Sequence, residues 1–198
     1  MDGALAMDSI EEQCIADYRE GRVEALGRLI EHTRRPLHAF ISKMMEGHAD
    51  VDEIFQEVWV RAMRNLDRYR HDRLLSWLFR IAHNLVIDRV RKTARLTSLD
   101  AAAGDATPLL DRLAEPAAGP AAVAEGRDLV ERIGAAVAQL PPEQREVFLL
   151  RTEGDVPFKE IARIQGVSIN TALARMQYAV RKLRSELREY DPKSGEGP

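Results

Sequence analysis

Residues 158–184 constrain the fold of this chain more than any other stretch, because they describe two helices that meet at a tight turn. The first helix presents Ile161 and Ala162 on its apolar face, and the small alanine permits a close crossing by the second helix. Gly166 accepts the left-handed backbone that ends a helix, and Ser168 is a strong N-cap for the next helix. An ordinary helical hairpin remains the alternative, although such a hairpin does not require a small alanine, then a glycine, then a serine-capped basic helix.

The second helix of this pair has one apolar side and one polar, basic side. Its apolar residues recur at helical spacing and are Ala172, Met176, Ala179, Val180 and Leu183. Its polar side carries Asn170, Thr171, Arg175, Gln177, Arg181, Lys182 and Arg184. A helix-turn-helix places its second helix in the major groove of DNA, with the N-terminal residues near the base edges. The pattern therefore predicts duplex DNA binding through this helix.

Apolar residues follow helical rather than alternating spacing through most of the chain, so we predict an all-α protein. Its 198 residues suffice for one large domain or two small ones. Between residues 95 and 127 Ala, Gly, Pro and Asp dominate without periodicity, which predicts a flexible, acidic linker. We therefore expect two small helical domains, at residues 10–94 and 128–190, joined by this linker.

Capping residues set the expected helix boundaries in the first of these domains. The first helix is predicted to begin at Ser9, which opens a capping box after a frayed N-terminus. Asp50 or Asp52 is predicted to cap a later helix that extends to about Leu66. A further helix is predicted over residues 74–93, where apolar residues again recur at helical spacing.

Charge is segregated along the chain, although the net charge is only −3. Residues 1–60 hold six basic and thirteen acidic residues, whereas residues 61–95 hold ten basic and three acidic ones. Residues 96–131 are acidic again, with two basic and seven acidic residues. The last predicted helix, residues 168–188, holds five basic residues and one acidic residue. Two basic segments separated by an acidic one predict two contacts with nucleic acid. The acidic segments predict surfaces that bind something other than DNA.

Four polar residues lie together at the start of the helix that follows Asp50, opposite its apolar side: Asp52, Glu53, Gln56 and Glu57. Acidic residues in a first turn suit the helix dipole, so a solvated surface explains them without any function. The alternative is a docking surface for a basic partner protein. Spacing alone favours the solvated surface.

The predicted helix at residues 74–93 has an exposed face whose members recur three and four residues apart: Arg80, His83, Asn84, Ile87, Asp88, Arg91 and Lys92. Aromatic residues accompany this face, with Tyr69 in the preceding loop and Trp77 and Phe79 on the helix. Bases stack on aromatic rings while cations follow the phosphates, so this segment is a candidate site for single-stranded DNA. Trp77 and Phe79 would serve equally as core residues, which leaves Tyr69 as the better stacking candidate.

Motifs for enzyme chemistry are missing from the sequence. It has no phosphate-binding Gly-rich loop, no Gly-x-Ser-x-Gly, no His-Glu-x-x-His, and five histidines that lack metal-ligand spacing. The single cysteine, Cys14, excludes an intrachain disulfide and suits a reducing cytoplasm. No signal-peptide pattern and no run of about 18 apolar residues occurs. We therefore expect a cytoplasmic, non-enzymatic protein without cofactor, metal or membrane insertion.

Two blocks of the first predicted domain, residues 52–62 and 76–92, resemble region 2 of the bacterial RNA polymerase sigma-70 family. Residues 140–151, which begin Leu-Pro-Pro-Glu-Gln-Arg, and the helix-turn-helix resemble region 4 of the same family. Because only these two regions and a short linker are present, the chain is similar to the extracytoplasmic function (ECF, group IV) sigma factors. The resemblance covers about residues 10–94 and 128–188.

This resemblance implies a promoter-specificity subunit that binds core RNA polymerase, recognises minus-35 and minus-ten promoter elements and assists DNA melting. It reverses the preference for a solvated surface, because Asp52, Glu53, Gln56 and Glu57 match the family's contact with the beta-prime clamp helices. The second implied polymerase contact is the beta flap. The resemblance also implies an anti-sigma factor that holds the protein inactive.

The resemblance further implies two sets of DNA contacts. The minus-ten set, which would bind duplex and flipped single-stranded bases, comprises Tyr69, Arg80, His83, Asn84, Asp88, Arg91 and Lys92. The minus-35 set comprises Ser168, Asn170, Thr171, Ala174, Arg175 and Tyr178. This chain departs from the family at Leu173, Ala174 and Tyr178, where relatives often carry Lys, Ser and Arg, which weakens any transfer of minus-35 sequence preference.

Two other classes of function compete with this hypothesis. A dimeric helix-turn-helix regulator would bind palindromic duplex DNA without polymerase, but it leaves residues 76–92 unexplained. A helical adaptor protein would bind no DNA, and the segregation of charge argues against it.

Overall fold

The computed structural model describes residues 2–46, 50–69, 73–101 and 122–187. These residues form eight α-helices and one short 3₁₀ helix, with no strand in the described ranges, so the all-α prediction is confirmed. The α-helices are α1 (Asp2–Arg19), α2 (Glu24–Met44), α3 (Val51–Met63), α4 (Leu74–Ala101), α5 (Ala122–Ala138), α6 (Pro142–Gly154), α7 (Phe158–Gln165) and α8 (Ile169–Glu186). The 3₁₀ helix is Leu66–Arg68.

The first helix begins earlier than the sequence predicted. Helix α1 passes through Ser9 without interruption, so the predicted capping box and frayed N-terminus are wrong. The residues ahead of Ser9 include Ala4, Leu5 and Ala6, which are strong helix formers and extend the helix. The helix ends before Gly21, which adopts a φ of 89°.

Helices α1 to α4, here called the N-terminal half, pack around the apolar side of α2. Helix α2 continues through Pro36, and Leu37, Phe40 and Ile41 beyond it are fully buried. Helix α3 begins after Asp50, whose side chain makes no cap hydrogen bond, and it ends at Met63, earlier than predicted.

Both ends of the predicted linker are helical. Helix α4 continues to Ala101, and α5 begins at Ala122. No Gly or Pro occurs between residues 93 and 103, so nothing in the sequence ends α4 at the predicted boundary. The middle of the predicted linker, residues 102–121, and residues 188–190 of the second predicted domain lie outside the described residues.

Helices α5 to α8, here called the C-terminal half, contain the predicted helix-turn-helix. Gly166 ends α7 in the left-handed conformation, with φ 64° and ψ 35°. Ser168 caps α8, because its Oγ accepts a hydrogen bond of 3.1 Å from the backbone N–H of Thr171. Pro142 occupies the first turn of α6, where its missing N–H costs no helical hydrogen bond. These local features confirm the predicted pair of helices and their turn.

The two halves pack against each other. Helix α6 lies on α2 and α7 lies on α4, so the apolar residues of both halves form one continuous core. Phe79 of α4 is fully buried and packs edge-on against Phe40 of α2, with ring centroids 5.0 Å apart.

Candidate nucleic-acid interface

An open pocket lies where the end of α3 meets the start of α4, and it encloses about 550 Å³. We call it the strand pocket, and it is lined by Arg61, Arg64, Asn65, Arg68, Tyr69, Trp77, Arg80, Ile81 and Asn84. Arg61 lies on α3, Arg64 and Asn65 lie in the turn that follows it, and Arg68 lies in the 3₁₀ helix, so the pocket wall on this side follows the chain out of α3. The pocket therefore combines four guanidinium groups, two amides and two aromatic rings.

The aromatic wall of the strand pocket is formed by Tyr69 and Trp77. Their ring centroids lie 5.1 Å apart with an interplanar angle of 39°, and both side chains are half-buried. Arg19 of α1 donates hydrogen bonds to the carbonyl oxygens of Leu66 and Tyr69, so a distant helix holds this loop against α4. A ring fixed in this way can stack on an unpaired base, because its position does not depend on the base.

The structure brings together only part of the predicted minus-ten set. Tyr69, Arg80 and Asn84 line the strand pocket. His83 faces the C-terminal half instead, where its Nδ1 bonds to Oε1 of Glu146. Arg91 is exposed on α4.

Asp88 and Lys92 line a second groove between α3 and α4, of about 380 Å³, together with the predicted polymerase contacts Glu53, Gln56 and Glu57. The two residues of α4 are therefore adjacent to the predicted polymerase surface, although the sequence placed them in the minus-ten set. Asp88 and Lys92 follow Asn84 by four and eight positions, so they lie on the same side of α4 as Asn84 but one and two turns farther from the strand pocket.

The sequence did not single out four residues that line the strand pocket: Arg61, Arg64, Asn65 and Arg68. The available signal was the recurrence of arginines at intervals of three and four after an apolar helix. It could not be assigned to a site from the sequence, because the pocket exists only where two separate helices meet.

The four predicted polymerase contacts lie on the outer side of α3 and are here called the docking face: Asp52, Glu53, Gln56 and Glu57. The Asp52 side chain is 83% exposed and that of Glu53 is 66% exposed. Glu53 accepts a hydrogen bond of 2.8 Å from Arg89, and this bond, with one to Asp50, raises the pKa of the Arg89 guanidinium above its ordinary value. The acidic side chains are thus presented to solvent, where a basic partner can reach them.

Helix α8 presents the predicted minus-35 residues in different ways. Ser168 and Thr171 bond to each other, with their hydroxyl oxygens 2.8 Å apart, whereas Asn170 is exposed. Tyr178 is 55% exposed, and the Arg181 guanidinium lies 5.5 Å from its ring centroid.

Arg175, in contrast, is half-buried and donates a hydrogen bond of 2.8 Å to Oε1 of Gln165 on α7. The Gln165 amide nitrogen donates to Oε2 of Glu146 and to the carbonyl oxygen of Glu143. Because the amide nitrogen of Gln165 bonds to these two acceptors, the amide oxygen of Gln165 points toward Arg175. Sequence reasoning missed Gln165, because only the fold places it beside α8.

Apolar residues also lie on the exposed surface of α8. Leu173 is 37% exposed and Ile169, one turn earlier, is 47% exposed. Ala174 is half-buried and has no polar group. This side of α8 can therefore make apolar contacts, such as those with thymine methyl groups, but no hydrogen bonds to bases from these side chains.

Neither a metal site nor a membrane span is found in the part of the chain that the structure describes. Among those residues, no three His, Cys, Asp or Glu side chains lie close enough to share a metal ion. Within the same ranges, no helix is both long and apolar enough to cross a membrane.

Comparisons with known proteins place both halves in one family. The chain matches the family model for sigma-70 region 2 over residues 29–96 and that for sigma-70, region 4, over residues 130–183. It is 25% identical over 186 residues to the ECF RNA polymerase sigma factor SigW of Bacillus subtilis, covering 92% of this chain and 100% of SigW.

Two solved structures share the fold. The sigma factor RpoE in its complex with the anti-sigma factor NepR, from Bartonella quintana, gives a TM-score of 0.65 at 20% identity, covering 82% of this chain and 96% of that chain. CnrH, in complex with the cytosolic domain of CnrY, gives a TM-score of 0.61 at 22% identity, covering 93% and 99%.

Proposed function

The chain belongs to the ECF group of the sigma-70 family, and we propose that it gives bacterial core RNA polymerase its promoter preference through three separate surfaces. The docking face binds polymerase, α8 reads the minus-35 element, and the strand pocket holds the opened minus-ten strand. The protein performs no covalent chemistry in this scheme, because it contributes only by binding duplex and opened promoter DNA with different affinities.

The observation that carries the proposal is the strand pocket. Extracting a base from a duplex costs a few kcal/mol, and stacking that base on an aromatic ring returns about 1–3 kcal/mol. Tyr69 and Trp77 supply the rings, and the surrounding arginines supply cations for the phosphates on either side. These contacts exist only with opened DNA, so the pocket favours melting.

Duplex recognition is assigned to the N-terminal part of α8. Asn170 is exposed where a recognition helix approaches base edges. Arg175 is held by Gln165, which limits the conformational entropy that the guanidinium would lose on binding DNA. Ser168 and Thr171 lie at the helix N-terminus, which favours a nearby phosphate.

Polymerase binding is assigned to the docking face, with the beta-prime clamp helices as its partner and the beta flap as the partner of the C-terminal half. The exposed carboxylates of Asp52 and Glu53 suit a basic helical surface. We further propose that an anti-sigma factor controls the protein in the cytoplasm, because the RpoE and CnrH structures are complexes with NepR and CnrY.

Run-off transcription tests this function directly. The template is the DNA upstream of the protein's own operon, and the reaction contains core polymerase with or without the chain. We expect a transcript from one defined start only when the chain is present. The Arg64→Ala/Asn84→Ala variant, which removes two residues of the strand pocket, should lose most of that transcript.

Arg35→Ala is the matched control, because Arg35 is an exposed arginine on α2 that does not line the strand pocket. It should transcribe like the wild type. If the chain bound duplex DNA without polymerase, and neither the wild type nor any variant produced a transcript, the result would instead support the dimeric regulator.

A further inference from the structure

Over Ile169–Tyr178, a stretch that the structure describes throughout, the exposed side of α8 carries no charge. The only charged residue in this stretch is Arg175, which is half-buried and bonds to Gln165 on α7. The exposed side chains are amides, hydroxyl groups and apolar groups: Ile169, Asn170, Thr171, Leu173, Gln177 and Tyr178. The first half of the recognition helix therefore presents a neutral surface.

The other basic residues of α8 follow this neutral stretch. Arg181 and Arg184 are exposed, whereas Lys182 donates a hydrogen bond of 2.7 Å to the carbonyl oxygen of Gln139. The N-terminal residues of a recognition helix lie nearest the base edges, so the later cations are left to contact phosphates. Phosphate contacts carry no sequence information directly. The sequence preference of α8 therefore depends on its neutral part.

Each base presents different groups in the major groove. Guanine presents two acceptors, N7 and O6, which arginine and lysine bind best, whereas thymine presents a methyl group that contacts apolar side chains. Adenine, the partner of thymine, presents an acceptor and a donor that match an amide such as Asn170 or Gln177. A surface of amides and apolar side chains therefore matches A·T pairs better than G·C pairs.

Two apolar side chains of this surface lie where they can meet thymine methyl groups. Ile169 and Leu173 are four positions apart, so they lie on one side of α8 and about 6 Å apart along its axis. This distance is close to the rise of two base pairs, about 6.8 Å. Ile169 is 47% exposed and Leu173 is 37% exposed, so each offers apolar surface to a ligand. Isolated apolar residues are ordinary on protein surfaces, but both members of this pair lie in the part of α8 that approaches base edges.

We propose that α8 reads the minus-35 element through the 5-methyl groups of thymines, with Ile169 and Leu173 as the specificity-determining residues, rather than through guanines contacted by cations. This inference rests on the proposed function, because it identifies the bases that the recognition helix selects. Isoleucine has one strongly preferred χ1 rotamer in a helix, so Ile169 loses little freedom on contact. Burial of one methyl-sized apolar group changes affinity about fourfold.

Deoxyuridine tests the proposal, because it pairs like thymidine but lacks the 5-methyl group. The probe is the promoter duplex from upstream of the protein's own operon, with the thymines of the minus-35 element replaced by deoxyuridine one at a time. The measurement is the Kd of the reconstituted holoenzyme for each duplex. We expect replacement of a contacted thymine to weaken binding of the wild type about fourfold. The Ile169→Ala/Leu173→Ala variant should bind the thymine and deoxyuridine duplexes equally.

Val130→Ala is the matched control, because Val130 is an apolar residue of α5 that is 69% exposed. It should keep the full difference between thymine and deoxyuridine. If the wild-type holoenzyme transcribed from this promoter but bound all the duplexes equally, the methyl readout would be overturned and the proposed function would stand. Equal deoxyuridine effects in the wild type and the double alanine variant would also overturn it. A holoenzyme that neither bound nor transcribed the promoter would refute the proposed function, and the present inference with it.

Replacing the leucine by lysine should change the preferred base. Leu173→Lys introduces a cation that can bind N7 and O6 of guanine. The comparison uses four duplexes that differ only at the base pair where Leu173→Ala abolishes the effect of deoxyuridine. The wild type should prefer thymine at that position, and the lysine variant should prefer guanine. An unchanged order of the four affinities in the folded lysine variant would contradict the role assigned to Leu173.

Discussion

Replacing Tyr69 by alanine removes half of the aromatic wall of the strand pocket. The ring would stack on an unpaired base, and such stacking contributes about 1–3 kcal/mol per base. Since about 1.4 kcal/mol corresponds to tenfold in affinity, we expect binding of the minus-ten non-template strand to weaken by about 5- to 150-fold. Tyr69→Phe keeps the ring and its contact with Trp77, so it should bind like the wild type.

The assay is fluorescence anisotropy of a labelled minus-ten oligonucleotide titrated with the reconstituted holoenzyme. Circular dichroism provides the folding check, because loss of the Tyr69–Trp77 pair also removes about 0.5–1.5 kcal/mol of aromatic contact. If the folded alanine variant bound within twofold of the phenylalanine variant, base stacking in the strand pocket would be refuted.

Three further predictions concern single residues. Ser168→Ala should lower the free energy of unfolding by about 1 kcal/mol through loss of the α8 cap, measured in urea, whereas Ser185→Ala, exposed in the last turn of α8, should not. Gln165→Leu should weaken minus-35 duplex binding as much as Arg175→Ala does, and combining them should add little, as a double-mutant cycle would show. The pKa of Asp17 is lowered by hydrogen bonds from Gln13 and from two arginines, so its stabilising effect is present above the ordinary carboxyl pKa of 3.8 and is lost as pH falls through the lowered value. Asp17→Asn should therefore reduce stability at pH 7, with the difference from wild type shrinking in acid; a difference that stayed constant with pH would contradict this.

The parts of the fold that depend on local chemistry were predictable from the sequence. Gly166 and Ser168 specify the helix-turn-helix through a left-handed C-cap and an N-cap, and both act within one turn of the chain. The start of α1 was mispredicted for a related reason. Ser9 and Glu12 match the capping-box pattern, but the helix formers that precede Ser9 extend the helix through it.

Features that depend on contacts between distant segments were not predictable. The strand pocket joins Arg61 of α3 to Asn84 of α4, and nothing in either helix alone indicates that they meet. The same holds for Gly154, where an added Cβ would lie 2.1 Å from Cε2 of Phe79, a residue 75 positions earlier in the chain. His83 was assigned to DNA from its position on α4, whereas its partner in the structure, Glu146, comes from the other half of the chain.

The central claim is that this chain, bound to core polymerase, holds promoter DNA open through the strand pocket. Permanganate reactivity of thymines around the minus-ten element measures this directly, because only unpaired thymines react strongly. The account predicts reactive thymines when core polymerase and the wild-type chain are both present, and their loss with Arg64→Ala/Asn84→Ala. Equal reactivity for that variant and for Arg35→Ala, or protection of the duplex by the chain alone without any melting, would contradict it.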